Sequence, residues 1–221
     1  MGGAYWYVSK AKLDHLKEAT PGFFEGVSVK LEFKIPFVSG SLSGTDQSTL
    51  IRDLERVVKK LEHEQKIKSY SDLTDNEAPV MIRFEGPAVR LIDQESFWVA
   101  SETGDIALLL AGSAGYAIGQ PTGVARTNIS PSADPVGAIT AVFEHVGSVS
   151  PILGTSLSFR LSYVWQEIMR DSLESGATLP KAEGIAIFAS SIPADRSQMR
   201  RVGRERTRRI VIGTPIYVRQ I

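Results

Sequence analysis

The amino-acid sequence predicts an α+β fold in which residues 1–221 form a single domain, a mainly antiparallel sheet with two or three helices packed on it. First, about seven stretches have the composition of strands, and longer blocks carry apolar residues at helical spacing. Second, several strands are joined by short turns, and few links are long enough for a parallel crossover. Third, no linker rich in Pro, Gly and Ser separates two self-sufficient halves.

The first part of the chain predicts two strands and two helices. Residues 4–9 are aromatic and β-branched, the composition of a strand, and residues 10–19 follow as a short helix or turn. Residues 27–35 alternate strictly between apolar and polar, which predicts a strand with one face in water. Residues 45–66 carry apolar side chains at helical spacing and predict a long helix with a charged, solvated face.

The middle of the chain contains the predicted centre of the sheet. Residues 80–84 and 89–92 are strand-like, and Gly86 and Pro87 divide them. A hairpin is predicted over 97–111, because apolar residues alternate on both arms and Gly104 supplies the positive φ that a tight turn needs. The second arm is apolar on both faces, which predicts a central strand.

The last part of the chain predicts two more helices and two more strands. Apolar residues at helical spacing mark helices over 136–146 and 155–175. Residues 183–191 and 210–218 have strand composition, and an arginine-rich segment lies between them. Pro215 lacks the N–H that a ladder needs, so it predicts an edge position or a bulge in the last strand.

Composition excludes several classes of function. Lys plus Arg equals Asp plus Glu at 25 each, so no global field draws the protein to nucleic acid or to a membrane. Cysteine is absent, which excludes disulfides and thiolate chemistry and fits a cytoplasmic protein. No run reaches the length of a membrane span, and the three histidines stand in separate predicted helices without metal-ligand spacing. We therefore expect no membrane partner, no metal and no cofactor.

Two segments are candidates for binding a ligand. Glycines follow the central strand at short intervals, and bare amides there can approach an anion closely, so a phosphate or carboxylate cradle is predicted at Gly112, Ser113, Gly115 and Tyr116. The alternative is a bulge or bend in which glycine permits close packing. Seven arginines lie between residues 196 and 209, and their guanidinium groups suit phosphate or an acidic partner. From these we select Arg200, Arg201 and Arg204; the alternative is a charged surface connection.

The leading hypothesis is a non-catalytic module in which these two segments meet to bind a small anion, such as a nucleotide, or a protein partner. Nucleic acid is a further possibility for the arginines. A hydrolase is the second hypothesis, with Ser113 or a carboxylate pair as its catalytic groups, although residue 111 is alanine where a nucleophile elbow needs glycine. The third is a structural subunit of a homo-oligomer, because the doubly apolar strand and Pro215 leave room for contacts between chains. No catalytic residue is assigned.

Three short segments, residues 5–10, 110–119 and 212–218, resemble an uncharacterised family of bacterial proteins common in actinobacterial-type genomes. Its members open with a Y-x-Y-V-S strand, carry a G-G-S-x-x-H-x-x-G-like segment and end in G-T-P-L-Y-V. The chain departs from that pattern at Ala111, where glycine is usual, and at Tyr116, where histidine is usual. The resemblance implies a setting in bacterial conflict or anti-phage systems and a sensor or adaptor without turnover. It transfers no residue role.

Overall fold

A sheet of seven strands is the main feature of the chain, seen in a computed structural model that describes residues 4–18, 44–64, 66–73, 80–93, 96–118, 155–176 and 178–221. The strands are β1 (Tyr5–Val8), β2 (Ile67–Ser69), β3 (Val80–Asp93), β4 (Ser96–Thr103), β5 (Ile106–Ser113), β6 (Lys181–Pro193) and β7 (Arg209–Gln220). The helices within those ranges are α1 (Lys10–Glu18), α2 (Gly44–His63), α3 (Leu157–Ser175) and α4 (Arg196–Arg201). Short 3₁₀ turns span Tyr70–Asp72 and Ala114–Tyr116.

Five of these strands close into a barrel. β3 pairs with β4, β4 with β5, β5 with β7, β7 with β6, and β6 returns to pair with β3. β1 extends β7 and the short β2 extends β3. The predicted sheet with helices packed on it is therefore wrong: the molecule has a barrel-containing α+β fold. Antiparallel ladders do predominate, and only β2 with β3 and β5 with β7 run parallel among the described strands.

Closure of the barrel depends on β3, which the sequence predicted as two separate strands. β3 runs unbroken through Gly86 and Pro87, pairing with β6 over residues 80–87 and with β4 over residues 88–93. Pro87 has no N–H to donate, so it fits the point at which the strand changes partner. There its carbonyl accepts a hydrogen bond from the Ser101 hydroxyl at 2.7 Å.

The pairing of β5 with β7 also closes the barrel. It joins parts of the chain about a hundred residues apart, and local sequence patterns do not reveal contacts at such a separation.

Several local predictions are confirmed. The hairpin of β4 and β5 turns at Gly104 with φ 63°, and residues 106–112 are all buried. α3 begins after the capping Ser156 and ends at Gly176, which has φ 62°. The register of β7 against β6 shifts beside Pro215, which is the predicted bulge. The strand predicted over 27–35, the helix predicted over 136–146 and the later glycines at 119 and 123 lie outside the described residues.

Apolar side chains fill the barrel and both of its outer layers. Phe97, Leu108 and Phe188 belong to the cluster inside the barrel. α3 covers β4 and β5 from outside, where Trp165 packs with Trp98 and donates its indole N–H to the Ser101 carbonyl at 3.1 Å. α1 and α2 cover β6 and β7 through a third cluster. No helix in the described ranges is both long and apolar enough to cross a membrane.

A junction between two strands forms along one edge of β7. One edge of β7 pairs with β6 along its length, but two strands share the other edge. β5 pairs with residues 209–213 and β1 with residues 217–219, and they approach from opposite directions. The carboxyl ends of β5 and β1 therefore meet beside residues 214–216. α1 begins directly after β1, so its amino terminus lies at this junction.

Candidate functional site

Polar side chains from four elements gather where β1 and β5 end, and we call this cluster the strand-end site. Its members are Tyr7, Ser9, Lys12, Ser113 and Thr214. Ser113 is half-buried, and the other four are almost completely removed from water, with exposures of 0%, 1%, 4% and 6% in that order. Buried polar groups of this density are unusual at a junction of strands and need partners.

Lys12 is the most unusual member of the site. Its amine donates hydrogen bonds to the Thr214 hydroxyl at 2.8 Å and to the Pro215 carbonyl at 3.1 Å. No carboxylate lies within ion-pair distance of it in the part of the chain that the structure describes. Burial, with no opposing charge, lowers the pKa of Lys12 from 10.5 to about 7. A lysine with such a pKa carries its charge only in part at neutral pH.

Tyr7 presents a buried hydroxyl to the same junction. Its ring stacks on Phe97 at 4.7 Å between centroids and meets the edge of Tyr116 at 6.2 Å. The hydroxyl has no completed hydrogen bond among the described residues, although the Ser9 side chain and the Ser113 backbone lie close enough to lower its pKa in part. Burial outweighs them and raises the pKa of Tyr7, so the group stays protonated and can donate.

The amino terminus of α1 adds backbone donors. The Ser9 hydroxyl accepts the Lys12 amide at 3.4 Å, in the manner of an N-cap, and the Ser9 amide donates to the Ile216 carbonyl at 2.8 Å. The first amides of a helix have no intrahelical acceptor, and the helix dipole favours negative charge there. Lys10 is exposed and Ala11 half-buried, so this end of the site borders on solvent.

The arrangement consists mainly of hydrogen-bond donors. It combines an amine, four hydroxyls and helix-terminal amides, all of which can donate hydrogen bonds, with no carboxylate from the described residues. Such a set can bind an anion through several hydrogen bonds at once. No group of three or more metal-ligating side chains occurs within the described ranges.

The predicted glycine segment lies at this site. Gly112 packs against Tyr7 so closely that an added Cβ would stand 2.6 Å from the Tyr7 hydroxyl oxygen. Ser113 caps the 3₁₀ turn by accepting the Gly115 amide at 3.3 Å. Tyr116 supports the Tyr7 ring. Gly112 therefore packs closely against Tyr7, and the cradle stays a prediction. Ser113 keeps a hydroxyl proton to donate.

The predicted arginines lie elsewhere. Arg204 approaches Glu102 at 2.6 Å, at the end of β4 beside the hairpin turn, and the Thr207 hydroxyl donates to the same carboxylate at 2.7 Å. Arg200 and Arg201 stand exposed in the last turn of α4. The hairpin turn and Ser113 are at opposite ends of β5, about 23 Å apart for seven residue steps. The structure thus does not bring these arginines to the glycine segment, and Arg204 has a structural ion pair.

Four members of the strand-end site were absent from the sequence-predicted set: Tyr7, Ser9, Lys12 and Thr214. One signal was available, since Ser9 and Lys12 are spaced by three residues at a predicted helix start and so share one face. The burial of Lys12 had no such signal, because a lysine in the pattern of residues 10–19 resembles any solvated one. Thr214 reaches it only through the fold, across 202 residues.

The fold and the site define a barrel-containing α+β protein with a cluster of buried hydrogen-bond donors. The chain belongs to DUF7019, a family of unknown function, whose sequence model matches residues 4–221. This confirms the expectation of an uncharacterised family. No curated protein matches the chain, and no solved structure does.

Proposed function

We propose that the protein binds a small anionic ligand at the strand-end site. The observation that carries the proposal is the amine of Lys12, which is buried to 4% exposure and, among the described residues, is bonded to neutral oxygens alone. Removing an ammonium group from water without a counter-ion costs several kcal/mol, so the site as it stands favours the neutral amine. An anion supplies the missing negative charge and stabilises the folded protein on binding.

The surrounding groups support this function. The Tyr7 hydroxyl lies at the same junction without a completed hydrogen bond in the described structure. The amides of Lys10 and Ala11 open α1, where the helix offers them no acceptor of its own. An anion accepts hydrogen bonds from such groups more strongly than a neutral ligand does. The proposal keeps the anionic ligand that the sequence predicted and assigns its binding to Lys12 in place of the arginines.

Calorimetry with matched lysine variants tests the proposal. Inorganic phosphate, sulfate and adenosine monophosphate are titrated near pH 6 into the wild type, Lys12→Met and Lys59→Met. Lys59 is exposed on α2 and serves as the control for loss of one positive charge. We expect at least one of these anions to bind the wild type and Lys59→Met equally, and Lys12→Met at least about tenfold more weakly. Absence of binding to the wild type, or equal binding to Lys12→Met, contradicts the proposal.

A hydrolase has less support. Ser9 and Lys12 have the S-x-x-K spacing of some acyl-transfer enzymes, but the Lys12 amine is bonded to Thr214 and Pro215 and not to Ser9. The Ser113 hydroxyl accepts an amide proton in the 3₁₀ turn and is placed as a cap. The hydrolase hypothesis stays a prediction, which a serine-directed probe and Ser113→Ala would test.

Binding of other partners stays a prediction, because the proposed anion site does not bear on it. The exposed arginines near α4 remain candidates for nucleic acid or an acidic protein. Assembly into a homo-oligomer is tested by light scattering. Residence in the cytoplasm and a role as a sensor in bacterial defence, which the resemblance implies, remain part of the proposal and rest on sequence alone.

A further inference from the structure

We infer that the strand-end site takes a doubly charged tetrahedral oxyanion, such as the terminal phosphate of a monoester, and that Lys12 takes up a proton when the anion binds. The inference rests on the proposed function, because it names the ligand class and the coupled proton of the same site. It follows from the number and placement of the donors and from the hydrogen bonds that Lys12 already makes.

The donors surround the junction from several directions. Tyr7 contributes a hydroxyl from β1, completely buried and without a completed hydrogen bond in the described structure, and Ser113 contributes one from the end of β5. The Lys12 amine reaches β7 at Thr214, and its amide is capped by Ser9 at the start of α1. A planar carboxylate has two oxygens to receive these donors, whereas a phosphate monoester or sulfate presents at least three. The larger number of acceptors favours the tetrahedral class.

The hydrogen bonds of Lys12 explain the proton. A neutral amine has two N–H groups, and the two observed bonds, to Thr214 and Pro215, use both. An anion at the site needs a third N–H, which only the ammonium form provides. The proton that binds is thus the donor that contacts the ligand, and the charge that it brings is neutralised by the ligand. Burial lowers the pKa of Lys12 to about 7 in the free protein, so uptake is largest above neutral pH.

No neighbouring charge among the described residues replaces the ligand in this role. Titratable groups on the elements packed around Lys12 include Tyr7 on β1, Asp14 and His15 on α1, Asp53 on α2, and Tyr217 on β7. Asp14 pairs with Lys10 at 3.8 Å and with Lys17 at 3.4 Å, and Asp53 also pairs with Lys17. Burial is the sole influence on the pKa of Lys12, so these carboxylates do not hold it charged.

Sulfate is the best probe, because its charge does not change near neutral pH. Its binding to the full chain is measured by calorimetry at pH 6 and pH 8, in two buffers of different ionisation enthalpy. We expect the dissociation constant to be about tenfold higher at pH 8, with about one proton taken up there and almost none at pH 6. Acetate, a planar anion, should bind at least about tenfold more weakly than sulfate at pH 6.

Variants separate this inference from the proposed function. Lys12→Arg holds its charge at both pH values, so its affinity for sulfate should not depend on pH, and Lys12→Met should bind sulfate weakly at both. Sulfate binding that depends on Lys12 but shows neither pH dependence nor proton uptake overturns the inference and leaves the function standing. Equal affinity for acetate and sulfate overturns the tetrahedral class. Absence of any Lys12-dependent anion binding removes both.

Discussion

Lys12 is a residue whose environment differs sharply from the one its sequence suggests. Among alternating charges in a short helix it should be solvated, yet α1 turns it toward β7, where Thr214 and Pro215 receive its amine. The sequence predicted a short helix or turn at residues 10–19 but not which lysine is buried, because burial is decided by the partner element. Such a buried, unpaired lysine weakens the folded state and is typical of a functional site.

Stability should therefore depend on pH through Lys12. The pKa falls from 10.5 in the unfolded chain to about 7 in the folded protein, so between these values the unfolded state binds more protons. The free energy of unfolding should rise by about 1 kcal/mol per pH unit between pH 7 and pH 9 relative to Lys12→Met. Chemical denaturation of both proteins measures this difference. Parallel profiles for the two would show that Lys12 has an ordinary pKa.

The Tyr7 hydroxyl should matter for binding and not for folding. It is buried without a completed hydrogen bond, so Tyr7→Phe removes an unsatisfied group, and the free energy of unfolding should fall by no more than about 0.5 kcal/mol. Affinity for sulfate should fall about tenfold, since a hydrogen bond to a charged group is lost. Tyr5→Phe, at a half-buried ring in the same strand, is the control. Weaker folding with unchanged affinity would give Tyr7 a structural role alone.

Gly112 should be required for packing. A Cβ there would lie 2.6 Å from the oxygen and 2.8 Å from Cζ of Tyr7, whose ring is fixed against Phe97. We expect Gly112→Ala to lower the free energy of unfolding by about 1–3 kcal/mol, as measured by denaturation. Gly86→Ala should cost less, because its nearest contact is the Thr103 hydroxyl at 3.0 Å, which can rotate. Equal costs at the two positions would mean that Tyr7 moves aside freely.

At the scale of elements, the sequence predicted more than it missed. The hairpin of β4 and β5 and the helix α3 follow from periodicity, Gly104 and Gly176. β3 was misjudged because glycine and proline normally end a strand, whereas Gly86 and Pro87 mark a change of pairing partner within one strand. The arginine-rich segment was selected by composition, but the ion pairs that decide its role depend on the turn against which it lies.

The effect of replacing an arginine on stability should depend on the contacts that the arginine makes. Arg204 approaches Glu102 at 2.6 Å at half-buried positions, so Arg204→Ala should lower the free energy of unfolding by about 0.5–1 kcal/mol. Arg200→Ala, at an exposed position on α4, should change it by less than about 0.5 kcal/mol. Neither variant should alter sulfate binding, because both lie at the far end of β5. A loss of affinity in Arg200→Ala would return the arginines to the anion site.

At the scale of the whole molecule, closure of the barrel produces the site. Parallel pairing of β5 with the first half of β7 leaves the second half for β1, and the two strand ends meet at residues 214–216. The sequence could not predict this meeting, because it joins residues near both termini with the middle of the chain. Ser113 was within reach of sequence analysis as the end of a central strand, whereas the contact of Lys12 with Thr214 was not.

The most direct measurement of the anion site is the titration of the Lys12 side chain by nuclear magnetic resonance, with and without saturating sulfate. Lys12→Met assigns the signal by its disappearance. We expect a pKa of about 7 in the free protein, rising by at least about one unit when sulfate is bound. A pKa near the ordinary value of 10.5 would contradict the lowering of this pKa by burial, and a pKa that sulfate leaves unchanged would contradict the coupling of sulfate binding to protonation of Lys12.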